Sequence, residues 1–246
     1  MTNQQTAKTQ SIEANGTKFA YRLFGLTNGT PLVFLQHFRG TMDHWDPALI
    51  NPLAKTRPIF LIDNSGVGKS SGQVPDTFGE WAANIVAVVK ALSINEIDLL
   101  GFSMGGMVAQ LVALDYPGLV RRLILAGTGP SVGEGLEQAP EWAFKTLATA
   151  SSEEENESGF LKTFYSLTDE KQTLGKTWWE RINEKTEDRS DYVGPEGTQH
   201  QINSIMHWMT PGNSPHSYDR LGDLRIPVFV AADILVPTEN SIMLWK

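Results

Sequence analysis

The sequence predicts an α/β fold: a mostly parallel, doubly wound sheet with an N-terminal hairpin and a helical insertion. Three observations carry this. Short apolar runs alternate with helix-patterned stretches from residue 31 to 127, the pattern of a parallel sheet covered on both faces. The alternation stops at Gly129-Pro130. It resumes only at 226–232, so about 90 residues without a convincing buried strand are inserted into one sheet.

In chain order, residues 1–9 are polar and read as a loose tail. Asn15-Gly16 then separates 11–14 from 18–24, whose Phe19, Tyr21 and Leu23 alternate with smaller or polar residues. This is the pattern of a hairpin with a primed turn. Residues 31–36 and 58–63 are continuous apolar runs, expected as buried parallel strands. Between them a helix is expected from about Asp43 or His44 through Leu53, with Pro47 and Pro52 near its ends or interrupting it. Gly68-Lys69-Ser70 mimics the end of a phosphate-binding loop, but that motif needs glycine at position 63, where aspartate stands. A glycine-rich turn is the expectation. A helix follows over 77–92, with Trp81, Ile85, Val88, Val89 and Leu92 on one side.

Residues 97–112 hold the chemistry. Ile97, Leu99 and Leu100 read as a buried strand, the run after Met104 as a helix, and Gly101-Phe102-Ser103-Met104-Gly105 joins them. A tight strand-to-helix turn holds the central serine in a strained conformation that lifts its hydroxyl clear of the backbone. The flanking Gly101 and Gly105 avoid collisions within that turn. The helix start turns free N–H groups and its positive dipole end toward the serine. Ser103 is thus the expected nucleophile and the Met104 N–H an oxyanion donor.

After a strand at 121–127, residues 131–220 carry helix-like segments, an acidic stretch at 153–157 expected as a solvated face, and Trp142, Trp178, Trp179 and Trp208. These tryptophans would line a pocket beneath a lid or form the core of that lid. The domain organisation expected is 1–130 for the first part of the core, 131–220 for the lid and 221–246 for the remaining core.

Composition narrows the function. A net charge of −8 and pI near 5.1 argue against nucleic acid or anionic membrane as a partner. There is no cysteine, which excludes thiolate chemistry and disulfides. No H-E-x-x-H or comparable spacing suggests a metal, and no cofactor is expected. Without a secretion signal or an 18-residue apolar run, a cytoplasmic location is the default.

With these pieces assembled, the sequence resembles the α/β-hydrolase superfamily, in its lidded branch of esterases, lactonases and cofactor-free haloperoxidase-like enzymes. The resemblance rests on His37-Phe38-Arg39-Gly40 after the third strand, residues 63–71 after the fourth, Gly101 through Gly105, and Asp233 four residues before Pro237. It implies that the Phe38 N–H is the second oxyanion donor, that His37 and Gly40 shape its loop, and that Asp233 is the acid orienting a catalytic histidine. A loop aspartate capping a helix from Thr238 is the alternative for Asp233.

The superfamily's order also calls for a histidine after a final strand. No histidine occurs beyond His216, so the last strand, helix and general base are expected to be missing. His37, His200, His207 and His216 are the remaining candidates, each more ordinary as a packing or surface residue. Arg39 would steer a substrate carboxylate or, as the commoner use, form a structural ion pair. The expected function is a serine hydrolase acting on a carboxylic ester, lactone or similar acyl compound, impaired by loss of its base. The alternative is a non-catalytic member binding a small molecule. Loss of the final strand would also leave 226–232 at a sheet edge open to self-association.

Overall fold

A computed structural model describes residues 2–137, 139–232 and 237–245. Its sheet has seven strands in the order β1-β2-β4-β3-β5-β6-β7. These are β1 Gln10–Ala14, β2 Thr17–Gly25, β3 Leu32–Leu35, β4 Pro58–Ile62, β5 Ile97–Phe102, β6 Val120–Ala126 and β7 Val228–Ala231. From β4 onward all neighbours are parallel, while β1 and β2 enter antiparallel.

The hairpin forms as its sequence predicts. Asn15 and Gly16 both take positive φ, 49° and 75°, the requirement of a primed turn matched to strand twist. Its facing differs from expectation. Phe19 and Tyr21 are buried, but Leu23 is 40% exposed and Arg22, at an expected outward position, is fully buried. Both faces of β2 are covered from Phe19 to Arg22, so period-2 alternation loses its meaning there.

The N-terminal residues also depart from the loose tail expected. Gln4 is buried, its side-chain amide donating to Trp45 O at 2.5 Å and its N–H accepted by Asn51 Oδ1 at 2.9 Å. Ala7 enters the core beneath α1 Pro47–Ala54. That helix starts later than predicted, because a short 3-10 turn, Met42–His44, intervenes. Asp46 caps α1 and Pro47 fills its first position, where a missing N–H does no harm.

Helix α2 Phe78–Ala91 runs between a Thr77 cap and Leu92, and α3 Met104–Asp115 follows β5 directly. Between β6 and β7 lie α4 Glu141–Thr149, α5 Glu153–Phe164, α6 Asp169–Ile182 and α7 Pro195–Trp208. The acidic stretch forms the first turn of α5 behind a Ser152 cap, where negative charge suits the helix dipole. Asn156 within it is buried rather than solvated.

The chain returns through β7, the last described strand at the far edge of the sheet, and α8 Thr238–Trp245 packs behind it. On β7, Phe229 is 64% exposed. No described helix is long and apolar enough to cross a membrane.

Candidate functional site

Ser103 has φ 53° and ψ −121°, a region that non-glycine residues avoid and hold only under external constraint. The constraint is visible on both sides of it. Its N–H donates to Ala126 O (2.9 Å) and its carbonyl accepts from Gly106 N–H (2.8 Å). A Cβ on Gly101 would sit 2.6 Å from the Gly106 Cα and collide with the Gly105 carbonyl. On Gly105 it would strike the Leu35 and Gln36 carbonyls, the latter at 2.7 Å. Gly101 therefore relieves the turn itself, as its sequence position suggests. Gly105 instead lets the first turn of α3 press against the end of β3.

That approach brings the loop after β3 beside the serine turn. In it, His37 N–H donates to Gln36 Oε1 (2.9 Å), Arg39 N–H to Gln201 Oε1 (2.7 Å) and Gly40 N–H to His37 O (3.0 Å). The Phe38 N–H between them has no acceptor among the described residues, and neither does the Met104 N–H at the start of α3. Both side chains, by contrast, are buried in the core. Arg39 takes φ 63°. Gly40 leaves no room for a Cβ, which would lie 2.9 Å from the His37 ring.

His37 Nδ1 lies 2.8 Å from Phe38 O. A carbonyl only accepts, so Nδ1 carries the proton. Burial depresses the pKa of His37 to about 4, because an imidazolium here would lose its hydration. His44 is lowered too, chiefly by burial and then by Arg189, and its Nδ1 accepts the Thr41 N–H at 2.9 Å. Asp63, at the end of β4, moves the other way, to about 7, because burial disfavours its charge. Its Oδ1 accepts the Met42 N–H at 2.7 Å and its Oδ2 has no partner among the described residues. Beside it is a cavity of about 30 Å³ bounded by His37, Gly40, Met104 and Gly105.

A larger apolar pocket of about 320 Å³ opens beside the serine turn. Phe102, preceding Ser103, and Ala126, accepting its N–H, line it together with His37, Trp45, Phe164 and Trp178. Of the four tryptophans expected at a pocket or in a lid core, Trp178 lines this one. Trp179 stacks on Tyr192 at 6.3 Å, Trp208 meets Phe78 edge-on at 5.6 Å, and Trp142 is 49% exposed.

The other predicted residues separate. His200 pairs with Asp76 at 2.9 Å, His216 lies 3.9 Å from Asp219, and no hydrogen bond joins either to Ser103. Asp233 falls outside the described residues. Among the described residues Arg39 makes no ion pair, unlike its commoner reading. Its guanidinium donates to Leu147 O (2.7 Å), Val193 O (3.2 Å) and Asn156 Oδ1 (3.3 Å), all neutral. The Gly68-Lys69-Ser70 turn meets the glycine-turn expectation. Ser70 Oγ donates to Asp63 O and accepts the Ala20 N–H, and Lys69 pairs with Asp188. No group of three or more His, Cys, Asp or Glu able to hold a metal occurs among the described residues.

Sequence reasoning missed one feature. Arg22 and Asp43 form a fully buried ion pair at 2.5 Å, and Asp43 Oδ2 also accepts the Ser190 N–H at 2.8 Å. Arg22 donates further to Asp188 O. The pair thus ties β2, the turn after the Phe38 loop and the segment between α6 and α7. No sequence signal links the three, which lie far apart along the chain.

Residues 30–202 match the family described as the alpha/beta hydrolase fold. An alpha/beta hydrolase fold protein from Chitinophaga pinensis superposes with a TM-score of 0.87 at 33% identity, covering all of this chain and 87% of that one. The enol-lactonase of Burkholderia xenovorans superposes at 0.71 over 96% of this chain, and at 17% identity it speaks for the fold alone. By sequence, a proline iminopeptidase of Lactiplantibacillus plantarum is 37% identical over 121 residues, 46% of this chain and 42% of that protein. The chain thus spans under half the length of that relative, while a putative carbamate hydrolase of Azorhizobium caulinodans matches at 26% over 88% of this chain. The chain belongs to the alpha/beta hydrolase fold family.

Proposed function

We propose that the protein is a serine-type acyl hydrolase acting on a carboxylic ester, lactone or similar compound. Ser103 attacks the carbonyl, and the Phe38 and Met104 N–H groups receive the oxyanion that forms. Asp233 is the acid that orients the base, and the helices between β6 and β7 act as a lid over the apolar pocket. The observation that carries this reading is the φ of 53° at Ser103. A fold maintains such strain where a protruding hydroxyl has work to do. Two unpartnered amides beside it are what a tetrahedral intermediate requires. The pocket favours an apolar acyl or alcohol portion.

The base is the weak part of the site. A serine hydroxyl needs a neighbour to take its proton. His37 is tied through Nδ1 to Phe38 O and is poorly basic at about 4, while His44, His200 and His216 engage Thr41, Asp76 and Asp219 and none of them is hydrogen-bonded to Ser103. In another serine hydrolase, removing the histidine costs about a millionfold in kcat, leaving roughly a thousandfold over water. Turnover by these 246 residues is therefore expected to be slow. The same observation favours a second reading, a binding protein that keeps the pocket without the chemistry.

A short p-nitrophenyl ester and a fluorophosphonate probe separate the two. Slow labelling and residual hydrolysis that both vanish in Ser103→Ala support the hydrolase. Ligand-induced thermal stabilisation with no labelling at any pH supports binding alone. Phe229, exposed on β7 at the outer edge of the sheet among the described residues, is consistent with self-association. Size-exclusion chromatography showing a monomer at every concentration excludes it.

A further inference from the structure

On the outer side of the His44–Tyr192 stack, whose centroids are 3.7 Å apart, lies a second cleft of about 830 Å³. Of its lining, only His44 is shared with the apolar pocket. Three cations face this cleft: Arg39, Lys185 and Arg189. Among the described residues none has a carboxylate within ion-pair distance, whereas Arg22, Arg57, Arg121, Arg181 and Arg220 each pair with an aspartate.

The contrast is sharpest at Arg39, only 8% exposed. Burying a guanidinium without a counter-charge is costly, and neutral carbonyls compensate it only in part. Its Nη2 donates to no described residue and is not sealed from solvent. Arg189 is likewise held by neutral oxygens, at Ile182 O, Asp43 O and Asn183 Oδ1. Among the described residues Lys185 donates to Gln5 O alone. The start of α7, whose Gly194 cap offers no side chain, opens on the same space.

The rim carries two exposed carboxylates, Glu153 and Asp191. Three cations against two acids leave one net positive charge, which suits a monoanion better than a phosphate dianion. Ala148, Tyr192 and Ile202 give the wall an apolar part. We propose that this cleft binds a small organic carboxylate, its acid group on Arg39, Arg189 and Lys185 and its apolar portion against Tyr192 and Ile202. A planar guanidinium fork matches a carboxylate in shape as well as charge. The site goes beyond the acyl-hydrolase reading and does not depend on it.

The test uses the full chain and the matched probes 4-phenylbutyrate, 4-phenylbutan-1-ol and inorganic phosphate, read by tryptophan fluorescence, since Trp179 lines the cleft, and by calorimetry. The acid is expected to bind saturably, the alcohol and phosphate at least about tenfold more weakly, and salt to weaken the acid. Lys185→Glu, at a half-buried position, should lower affinity for the acid about tenfold, and Lys185→Gln by less. Binding should survive both Ser103→Ala and fluorophosphonate treatment. Equal binding of the alcohol, equal binding of phosphate, or indifference to both Lys185 substitutions overturns the proposal. Loss of acid binding once Ser103 is labelled also overturns it, by placing the ligand in the apolar pocket. Absence of labelling with acid binding retained would sink the hydrolase reading and leave this one standing.

Discussion

The turn at Ser103 and the helices from α4 to α7 are held by opposite means. Around the serine, backbone meets backbone. Gly101 and Gly105 stand where any side chain would strike carbonyl groups, and the strained φ is enforced by hydrogen bonds to Ala126 and Gly106. The helices above are held by side chains: a stack of Phe160, Trp179 and Tyr192 joins them to one another, and His37 against Phe160, with polar anchors such as Arg39 and Arg22–Asp43, ties them to the sheet and its loops. Backbone packing fixes geometry and admits no variation in side-chain size. Side-chain packing tolerates resizing but fails when an anchor goes.

The largest effect should come from breaking the first kind of contact with the smallest possible change. In Gly105→Ala the new methyl meets the Leu35 carbonyl at the end of a central strand and the Gln36 carbonyl just past it, and the strand cannot retreat. Destabilisation beyond about 4 kcal/mol is expected, enough to unfold a marginal domain. Circular dichroism and the urea midpoint measure it. A folded Gly105→Ala protein with a normal midpoint would remove the argument that this glycine sets the approach of α3 to β3.

On the other side of the comparison, Arg22→Met leaves Asp43 buried without its partner. A loss of about 3 to 5 kcal/mol is expected. Hydrogen exchange should rise at Ser190 and along the 183–193 segment before it rises in β5. If exchange rises uniformly, the ion pair supports the whole domain and the division into two regimes fails.

These two regimes also explain what the sequence discloses. The serine turn is legible because its determinants lie within six residues: strand, glycine, serine, glycine, helix. The hairpin is legible for the same reason, since Asn15-Gly16 dictates its own turn. Arg39 is not, because its acceptors at Leu147, Asn156 and Val193 lie more than 100 residues onward and two of them are backbone carbonyls, which carry no signature in side-chain type. Arg22 misleads outright, since alternation assigns it to solvent and only the three-dimensional neighbourhood supplies Asp43. The N-terminal residues mislead likewise, because polar composition hides that Gln4 has a backbone carbonyl waiting at Trp45.

Between the two regimes sit two groups whose protonation should pull stability in opposite directions. Asp63 has its folded pKa raised to about 7, so between pH 4 and 7 the folded state holds a proton that the unfolded state has lost. Its contribution to stability falls as pH rises through that window. His37 is lowered to about 4. Between pH 6.5 and 4 the unfolded state binds the extra proton, so its contribution falls as pH drops. Asp63→Asn keeps an acceptor for the Met42 N–H and removes only the first effect. Relative to the parent, it should gain up to about 3 kcal/mol between pH 4.5 and 7.5, by the linkage of about 1.4 kcal/mol per pKa unit. Urea midpoints at those two pH values decide it. A gain of the same size at both would mean that Asp63 does not titrate across the interval.

The smallest effect expected sharpens the comparison most, because it concerns a large residue. Trp142, on α4, is 49% exposed, and the Nζ of Lys162 lies 5.5 Å from its ring centroid. A cation–π contact at an exposed site is worth about 0.5 to 1 kcal/mol. Trp142 lines neither the apolar pocket nor the outer cleft. Trp142→Ala should therefore shift stability by no more than about 1 kcal/mol and leave fluorophosphonate labelling unchanged. Trp208→Ala, by contrast, opens a hole against Phe78 where the ring is 2% exposed, and should cost about 3 to 5 kcal/mol. Both rings sit on helices of the same segment, so the ratio of the two effects measures how far burial, rather than residue type, governs that segment. Equal losses would show that Trp142 is covered in solution by something that the isolated chain does not provide.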